Sequence, residues 1–209
     1  LKQIELTHTT YRYEKLQELT QENILSPEKI ATILRNTQGL NGKALGYGNE
    51  KALNQLLAHH SVIFSPEDCI AWVSTAPYQL GAYIAYDLKE IFKEPSYPSH
   101  SVYPQTQQNI PADPFVHTQA YKDYEQYRQL EQQLILQLQK KSTIQMNDYL
   151  SLTALNPDYW KGYYLLGEAY WTNRCYKEAE EQYKTALSKE IPYVEEQKQI
   201  EKRLEKCKN

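Results

Sequence analysis

Ser61-Val62-Ile63-Phe64 and Ile70-Ala71-Trp72-Val73-Ser74 are the two runs that decide the fold class. Both are rich in β-branched and aromatic residues, and Ser65-Pro66-Glu67-Asp68 between them has the composition of a turn. The pattern predicts a β-hairpin in a chain whose other apolar residues mostly recur at helical spacing. Residues 83–88 predict a further strand or turn. We therefore expect an α+β fold.

Two helices are predicted before the hairpin. Apolar residues recur every third position between Thr10 and Asn23, which indicates the first helix. Ser26-Pro27-Glu28 combines an N-cap hydroxyl, a proline at the first helical position and an early carboxylate, so it predicts the start of the second. Residues 36–48 carry four glycines and predict an irregular loop, whereas residues 49–59 fit either a helical stripe or extended chain.

A proline-rich stretch divides the chain. Five prolines lie between residues 93 and 114 among Ser, Gln and Asn, which is too many for regular structure. We therefore expect a front domain over residues 1–92, a linker over residues 93–114 and a helical tail over residues 115–209.

The tail carries the most specific pattern in the chain. Its longest helix is predicted from Tyr121 to Leu138, where apolar residues recur every three or four positions, and a shorter helix is predicted over 147–155. Residues 160–193 then match the tetratricopeptide pattern of aromatic, Leu-Gly, aromatic and Ala positions. The matches are Tyr163, Leu166, Gly167, Tyr170, Ala179, Tyr183 and Ala186, with Pro192 one position late. This predicts two closely crossing helices, followed by a third that includes Ile200 and Leu204.

One repeat indicates more about fold than about function. A single tetratricopeptide-like pair cannot bury its own face, so the preceding helices are expected to pack against it. Peptide-binding solenoids need about three stacked repeats. Support of the chain's own front domain is therefore favoured over a groove that binds a peptide or protein partner.

The composition of the chain argues against several classes of partner and ligand. The formal net charge of −3 provides no basic excess, so nucleic acid is not an expected partner. Cys69, Cys175 and Cys207 lie far apart and form no CxxC pair, so neither a disulfide framework nor a zinc site is predicted. No run approaches the ~18 apolar residues of a membrane-spanning helix. No metal and no cofactor are expected.

The front half also resembles a known family. The residues that carry the resemblance are Tyr11-Arg12-Tyr13-Glu14-Lys15-Leu16, Ser26-Pro27-Glu28-Lys29-Ile30, His59-His60-Ser61-Val62-Ile63-Phe64 and Ala71-Trp72-Val73-Ser74-Thr75-Ala76-Pro77-Tyr78-Gln79-Leu80-Gly81. Over about residues 10–92 the chain looks like the C-terminal part of the acyl-coenzyme A:6-aminopenicillanic acid acyltransferase-like proteins. The resemblance implies part of an N-terminal-nucleophile hydrolase fold, with stacked sheets between helical layers, in an enzyme that cleaves amide bonds or transfers acyl groups.

The resemblance also implies where the catalytic group lies. Such enzymes cleave themselves to expose a Cys whose own α-amino group is the general base. This chain begins at Leu1 with its three cysteines internal, so the nucleophile is expected upstream, in a missing N-terminal part of the same protein. The family's oxyanion-stabilising Asn-His segment is not reproduced by Leu6-Thr7-His8-Thr9. No catalytic, cofactor-binding or metal residue is therefore carried over, and this chain alone is expected to be inactive.

Several side chains have types that suit chemistry. They are the adjacent His59 and His60, Cys69, the pair Asp87 and Glu90, and the hydroxyls of Ser74 and Thr75. Neighbours on a strand point to opposite faces, so the two histidines are not expected to share an ion. Cys69 lacks a recognisable Cys-His-Asn signature. Structural roles are favoured for all of them, with the two hydroxyls as a weaker candidate for lining a pocket of a complete enzyme.

Two function classes follow. The chain is either the C-terminal portion of an acyltransferase or amidase-like protein, or an interaction module whose helices bind a partner. The upstream sequence of the gene discriminates them, because only the first class requires a Cys at a self-cleavage junction.

Overall fold

The computed structural model describes residues 7–21, 25–92, 108–140 and 145–207. These residues form eight α-helices and one three-stranded antiparallel sheet, so the predicted α+β class is confirmed. The helices are α1 (His8–Leu19), α2 (Pro27–Leu34), α3 (Leu88–Ile91), α4 (Gln119–Lys140), α5 (Met146–Leu155), α6 (Trp160–Thr172), α7 (Tyr176–Leu187) and α8 (Val194–Cys207). The strands are β1 (Val62–Ser65), β2 (Ile70–Ser74) and β3 (Tyr83–Asp87).

Both helices predicted before the hairpin are present. Thr7 caps α1 by accepting a hydrogen bond from the Thr10 amide. The predicted end of this helix at Asn23 lies outside the described residues. Ser26 caps α2 by accepting a hydrogen bond from the Lys29 amide, with Pro27 at the start of the helix as predicted. The Ser26 side chain therefore fixes where α2 begins, and α2 covers one face of the sheet.

The predicted hairpin is also present, and the third segment is a strand. The sheet order is β1-β2-β3, and Trp72 pairs with Ile63 on one side and Ala85 on the other. The edge of β3 continues into the described end of the proline-rich stretch, because Tyr83 and Ile110 exchange two backbone hydrogen bonds of 2.9 Å. Trp72 Nε1 donates to the Gln108 carbonyl at 2.8 Å. Residues 108–110 thus pack on the sheet, while residues 93–107 of the predicted linker lie outside the described part.

The two faces of the sheet differ in what covers them. Since side chains alternate along strands, Ile63, Trp72 and Ala85 share one face, the inner face, and they pack with Ala31 of α2. The opposite face, called the outer face here, carries Val62, Phe64, Ala71, Val73, Ile84 and Tyr86. None of these six belongs to the hydrophobic clusters formed by the described residues. The sheet therefore has one packed face and one largely apolar face whose side chains lie outside these clusters, with Ala71 the buried member of the six.

Residues 36–59 contain neither a regular strand nor an α-helix. A 3-10 turn occupies Leu40–Gly42, and turns and irregular chain follow up to β1. The alternative of a helical stripe over 49–59 is wrong, because buried Asn54 uses its side chain to hold the backbone in a loop. Its amide nitrogen donates to the Tyr78 carbonyl at 3.1 Å, and its oxygen accepts from the Leu56 amide at 2.9 Å.

The tail contains the predicted long helix α4, the shorter α5, the α6–α7 pair and a final helix α8. Each helix packs on the next along the chain. Gly167 lies where α6 meets α7, and a Cβ added there would be 2.6 Å from a ring carbon of Tyr183. Helix α8 also reaches α6, since Arg203 pairs with Glu168 at 2.7 Å. The core of the tail is the largest buried cluster among the described residues.

Candidate functional site

His59 and His60 lie exposed in the loop before β1 rather than on a strand. The expectation that strand alternation separates them is therefore wrong in its geometry. Within the described residues, no group of three His, Cys, Asp or Glu side chains is arranged to hold a metal ion. The two histidines do not form a site with other described residues of those types.

The three cysteines are unpaired and far apart. Cys69 occupies the hairpin turn with a positive φ of 59°, and its Sγ approaches the Pro66 carbonyl at 3.5 Å. Burial raises the pKa of the Cys207 thiol in α8, which disfavours the nucleophilic thiolate. The cysteines thus lie in a turn and in the helical tail.

The other sequence candidates make local hydrogen bonds. Asp87 caps α3 by accepting from the amides of Lys89 and Glu90 at 2.9 and 3.2 Å. The Ser74 hydroxyl accepts from the Ser61 amide at 2.7 Å, and the Thr75 hydroxyl donates to the Ala82 carbonyl at 3.0 Å. These contacts fit the structural roles favoured from the sequence.

The most elaborate polar arrangement joins residues 43–51, the 43–51 segment, to the helical tail. Asn156, buried after α5, accepts from the Tyr47 amide at 3.0 Å and donates to the Tyr47 carbonyl at 2.8 Å. Both atoms of one carboxamide thus bind both backbone groups of one residue. A buried amide with both hydrogen-bonding ends satisfied fixes the position of the segment.

A second anchor lies between α7 and α8. The Glu190 carboxylate pairs with Lys43 at 2.5 Å and Lys51 at 2.7 Å. Buried Asn49 donates to the Glu190 carbonyl at 2.8 Å and to the Leu45 carbonyl at 3.1 Å. Burial acts to raise the pKa of Glu190, but hydrogen bonds from the two lysines outweigh it and lower that pKa. The ends and the middle of the 43–51 segment are therefore tied to one residue of the tail.

Two glycines allow the segment to approach the tail closely. Gly46 has a φ of 78°, and a Cβ there would collide with the backbone of Tyr159. Gly48 has a φ of 88°, and a Cβ there would be 3.1 Å from the Tyr124 hydroxyl. Both positions require glycine for conformation and for space.

A group of carboxylates surrounds this contact. Glu50 of the segment and Glu196 of α8 each have a buried carboxylate oxygen that makes no hydrogen bond to a described residue. Burial raises the pKa of both side chains, and Glu50 adds to the effect on Glu196. Glu131 differs, because Lys161 lies 3.3 Å away and Tyr127 donates to it at 3.0 Å. The contact therefore contains negative charge that is incompletely compensated.

A second contact joins the front half to α4. The Tyr78 hydroxyl donates to Glu125 at 2.9 Å and accepts from Arg128, whose guanidinium lies over the Tyr78 ring. The Tyr124 hydroxyl donates to the Leu56 carbonyl at 3.3 Å, and burial raises the pKa of that hydroxyl. The tail thus contacts the front half in at least two places.

The outer face of the sheet is the main apolar surface of the front half. Phe64 is 64% exposed and Val62 is 40% exposed. An open apolar depression of about 440 Å³ lies beside Phe64, lined also by Cys69, Leu88 and Phe92. No described helix is long and apolar enough to cross a membrane. Val62 and Phe64 thus give the outer face an exposed apolar patch.

The contact between the 43–51 segment and the tail is not predicted from the sequence, because the glycines of the segment indicate only an irregular loop. The signal is the spacing of its lysines and glycines, Lys43-x-x-Gly46-x-Gly48-x-x-Lys51. The spacing of these lysines and glycines indicates a contact only when the tail residues that bind the segment are known.

No protein-family model matches this chain, and neither curated proteins nor solved structures give a significant match.

Proposed function

We propose that this chain is the C-terminal part of an N-terminal-nucleophile acyltransferase or amide hydrolase, in which it supplies scaffold and an upstream Cys supplies the chemistry. The observation that carries the proposal is the outer face of the sheet. Five of its six side chains are hydrocarbon and the sixth is the aromatic Tyr86, opposite a packed inner face. A sheet that is apolar on both faces is typical of an inner layer covered on both sides.

The edge position of β1 among the described strands supports the same proposal. The Ser74 amide donates to the Ser61 carbonyl, so alternation along an antiparallel ladder directs the backbone groups of Val62 and Phe64 away from β2. An exposed apolar edge strand is a template for another strand. We expect a strand from the upstream part to pair with β1, and a second sheet to stack on the outer face about 10 Å away.

The helical tail is proposed to be a tetratricopeptide-like brace for this domain. The close approach of α6 and α7 at Gly167, and the packing of α5 and α8 on either side of that pair, support such a stack. The surface of the tail that carries Asn156 and Glu190 contacts the front half of its own chain. This favours support over partner binding as the principal role of the tail.

The proposal is tested with the polypeptide encoded upstream in the same gene. Co-expression of that polypeptide with this chain should give a complex in which the Val62 and Phe64 amides exchange at least tenfold more slowly than in this chain alone. The complex should hydrolyse or transfer an amide-linked acyl group, and Cys→Ala at its mature N-terminus should abolish turnover. Hydrogen exchange by mass spectrometry and product detection are the measurements.

Two results would refute the proposal. One is amide turnover by this chain alone, because the proposal requires the nucleophile to lie elsewhere. The other is unchanged exchange at Val62 and Phe64 in the complex, because the outer face and the β1 edge would then have a different occupant, as expected for a separate interaction module.

A further inference from the structure

We propose that the helical tail carries a receptor surface for a turn-forming peptide of the pattern Lys-x-x-Gly-x-Gly-x-x-Lys, and that the 43–51 segment occupies this surface in cis. The proposal depends on contacts within the chain and not on membership of an acyltransferase family. Its failure would therefore leave the proposed function standing.

The receptor surface contains polar groups that serve the segment. Asn156 is 1% exposed, and the two ends of its carboxamide bind the amide and carbonyl of Tyr47. A carboxamide buried at this level without those bonds would be desolvated without compensation. Through these two bonds the surface binds backbone groups of the segment and not a side chain.

Charge fixes the two ends of the bound peptide. Glu190 lies between Lys43 and Lys51, and it is tied to both. The backbone carbonyl of the same residue accepts from Asn49 in the middle of the segment. A peptide that lacks the two lysines would leave the partly buried Glu190 carboxylate without a counter-charge. The surface thus selects for cations eight positions apart.

Glycine at two positions provides the shape selection. A side chain at the Gly46 position would strike Tyr159, and one at the Gly48 position would crowd Tyr124. Both glycines have positive φ, which other residues rarely adopt. Recognition by the tail therefore combines backbone hydrogen bonds, two lysines, two glycines and the buried side chain of Asn49.

Occupation in cis involves no strand or helix of the segment. The 43–51 segment belongs to no strand and no α-helix, so its release breaks no sheet ladder. Release does withdraw Leu45 from its cluster with Tyr11 and Ala52, and Tyr47 from its contact with Phe115, so the released state has a cost within the front half. Occupation reduces the apparent affinity for a free peptide by the fraction of molecules whose surface is open. A chain whose own segment is seated more than nine times in ten should bind a free peptide about tenfold or more weakly than a chain whose segment is released.

The experiment uses the full chain and a fluorescein-labelled peptide of residues 39–56, with fluorescence anisotropy as the readout. Gly46→Val in the chain evicts the segment and leaves every tail residue unchanged. We expect this variant to bind the peptide at least tenfold more tightly than the unmodified chain does. The same peptide carrying Gly46→Val should not bind. Adding Asn156→Ala to the Gly46→Val chain should remove binding of the unmodified peptide.

A second variant protects the test against misfolding. Lys43→Glu with Lys51→Glu evicts the segment by repulsion from Glu190 without any steric change, and circular dichroism verifies that the helices remain. Equal binding to the evicted and unmodified chains would overturn cis occupation. Absence of binding to folded evicted chains would overturn the receptor itself. Loss of helical structure in both variants would also overturn it, since the tail would then require the segment to fold.

Discussion

Glu50 and Glu196 each bury a carboxylate oxygen that makes no hydrogen bond to a described residue, and burial together with the charge of Glu50 raises the pKa of Glu196. The two side chains come from the 43–51 segment and from α8. The charged groups around Glu50 are Lys161, Glu131 and His8, and Arg12 donates to its backbone carbonyl. The contact between segment and tail therefore opposes full ionisation of its own carboxylates.

The first prediction concerns pH. Because the pKa values of Glu50 and Glu196 are raised in the folded chain, the folded state binds more protons than the unfolded state between the ordinary value of 4.5 and the raised values. Their contribution to stability should rise as pH falls through that window and be complete below it. Thermal unfolding from pH 7 to pH 4.5 should show this contribution as a difference between the unmodified chain and Glu50→Gln/Glu196→Gln.

At pH 7 the double substitution should stabilise the chain by about 0.5–1 kcal/mol after allowance for solvent screening. That corresponds to a melting temperature higher by about 1–4 °C. Glu67→Gln, an exposed carboxyl in the hairpin turn, is the matched control and should change neither value. A double variant that is less stable at pH 7, with an unaltered pH profile, would contradict this account.

The second prediction concerns the crossing of α6 and α7. Gly167→Ala should destabilise the chain by about 1–3 kcal/mol, because the new methyl group would lie 2.6 Å from Tyr183. The ring cannot simply withdraw, since its hydroxyl donates to Glu168 at 2.6 Å. Gly162→Ala on the same helix meets nothing closer than 3.7 Å and should stabilise by about 0.5–1 kcal/mol. Chemical denaturation of both variants measures the difference, and equal effects would argue against a tight crossing.

The third prediction concerns the outer face. Phe64→Lys should reduce self-association of the isolated chain, because an exposed apolar edge is a site of strand pairing between copies. Its stability should change by no more than about 0.5 kcal/mol, since the ring is largely exposed. In the complex with the upstream polypeptide the same substitution should cost about 3–5 kcal/mol, because the ring would then be buried.

Sedimentation velocity and denaturation provide the readouts for this substitution. Tyr13→Lys, at an exposed aromatic on α1, is the matched control and should leave both unchanged. Similar costs for Phe64→Lys in the isolated chain and in the complex would show that the upstream polypeptide does not cover this face.

The fourth prediction separates the two lysines that pair with Glu190. Lys51 is 12% exposed and Lys43 is 53% exposed. Exposed pairs have coupling energies of about 0.2–1 kcal/mol, and the coupling between two charges is larger where water screens them less. A double-mutant cycle with Ala should therefore give a larger coupling energy for Lys51–Glu190 than for Lys43–Glu190. The reverse order in 1 M salt, where screening is strong, would be inconsistent with the burial of Lys51.

The sequence predicted the elements whose signals are local. The Ser26-Pro27-Glu28 cap, the runs around the 65–68 turn and the apolar period of α4 each act within a few residues, and each element was found. The loop over 36–59 was not predictable in the same way. Its conformation depends on Asn156 and Glu190, which lie 109 residues from Tyr47 and 141 residues from Asn49. Local composition contains no information about such partners.

The histidine pair shows a different reason for error. His59 and His60 adjoin β1, and strand alternation was extended to them although the strand begins at Val62. The outer face, by contrast, follows from alternation once the register is known. Its importance was not visible from the sequence, because the same apolar residues would suit a strand whose two faces are both covered.

The separation between the 43–51 segment and Glu190 has a consequence during translation. The 43–51 segment leaves the ribosome well before Glu190 is synthesised, because Glu190 lies 141 residues after Asn49. At synthesis rates of about 5–20 residues per second, that interval is roughly 7–28 seconds. During this interval the front half has been synthesised, but its 43–51 segment lacks the contact with Glu190. Chaperones would therefore encounter this chain at a stage when the hairpin has formed and the contact with Glu190 has not.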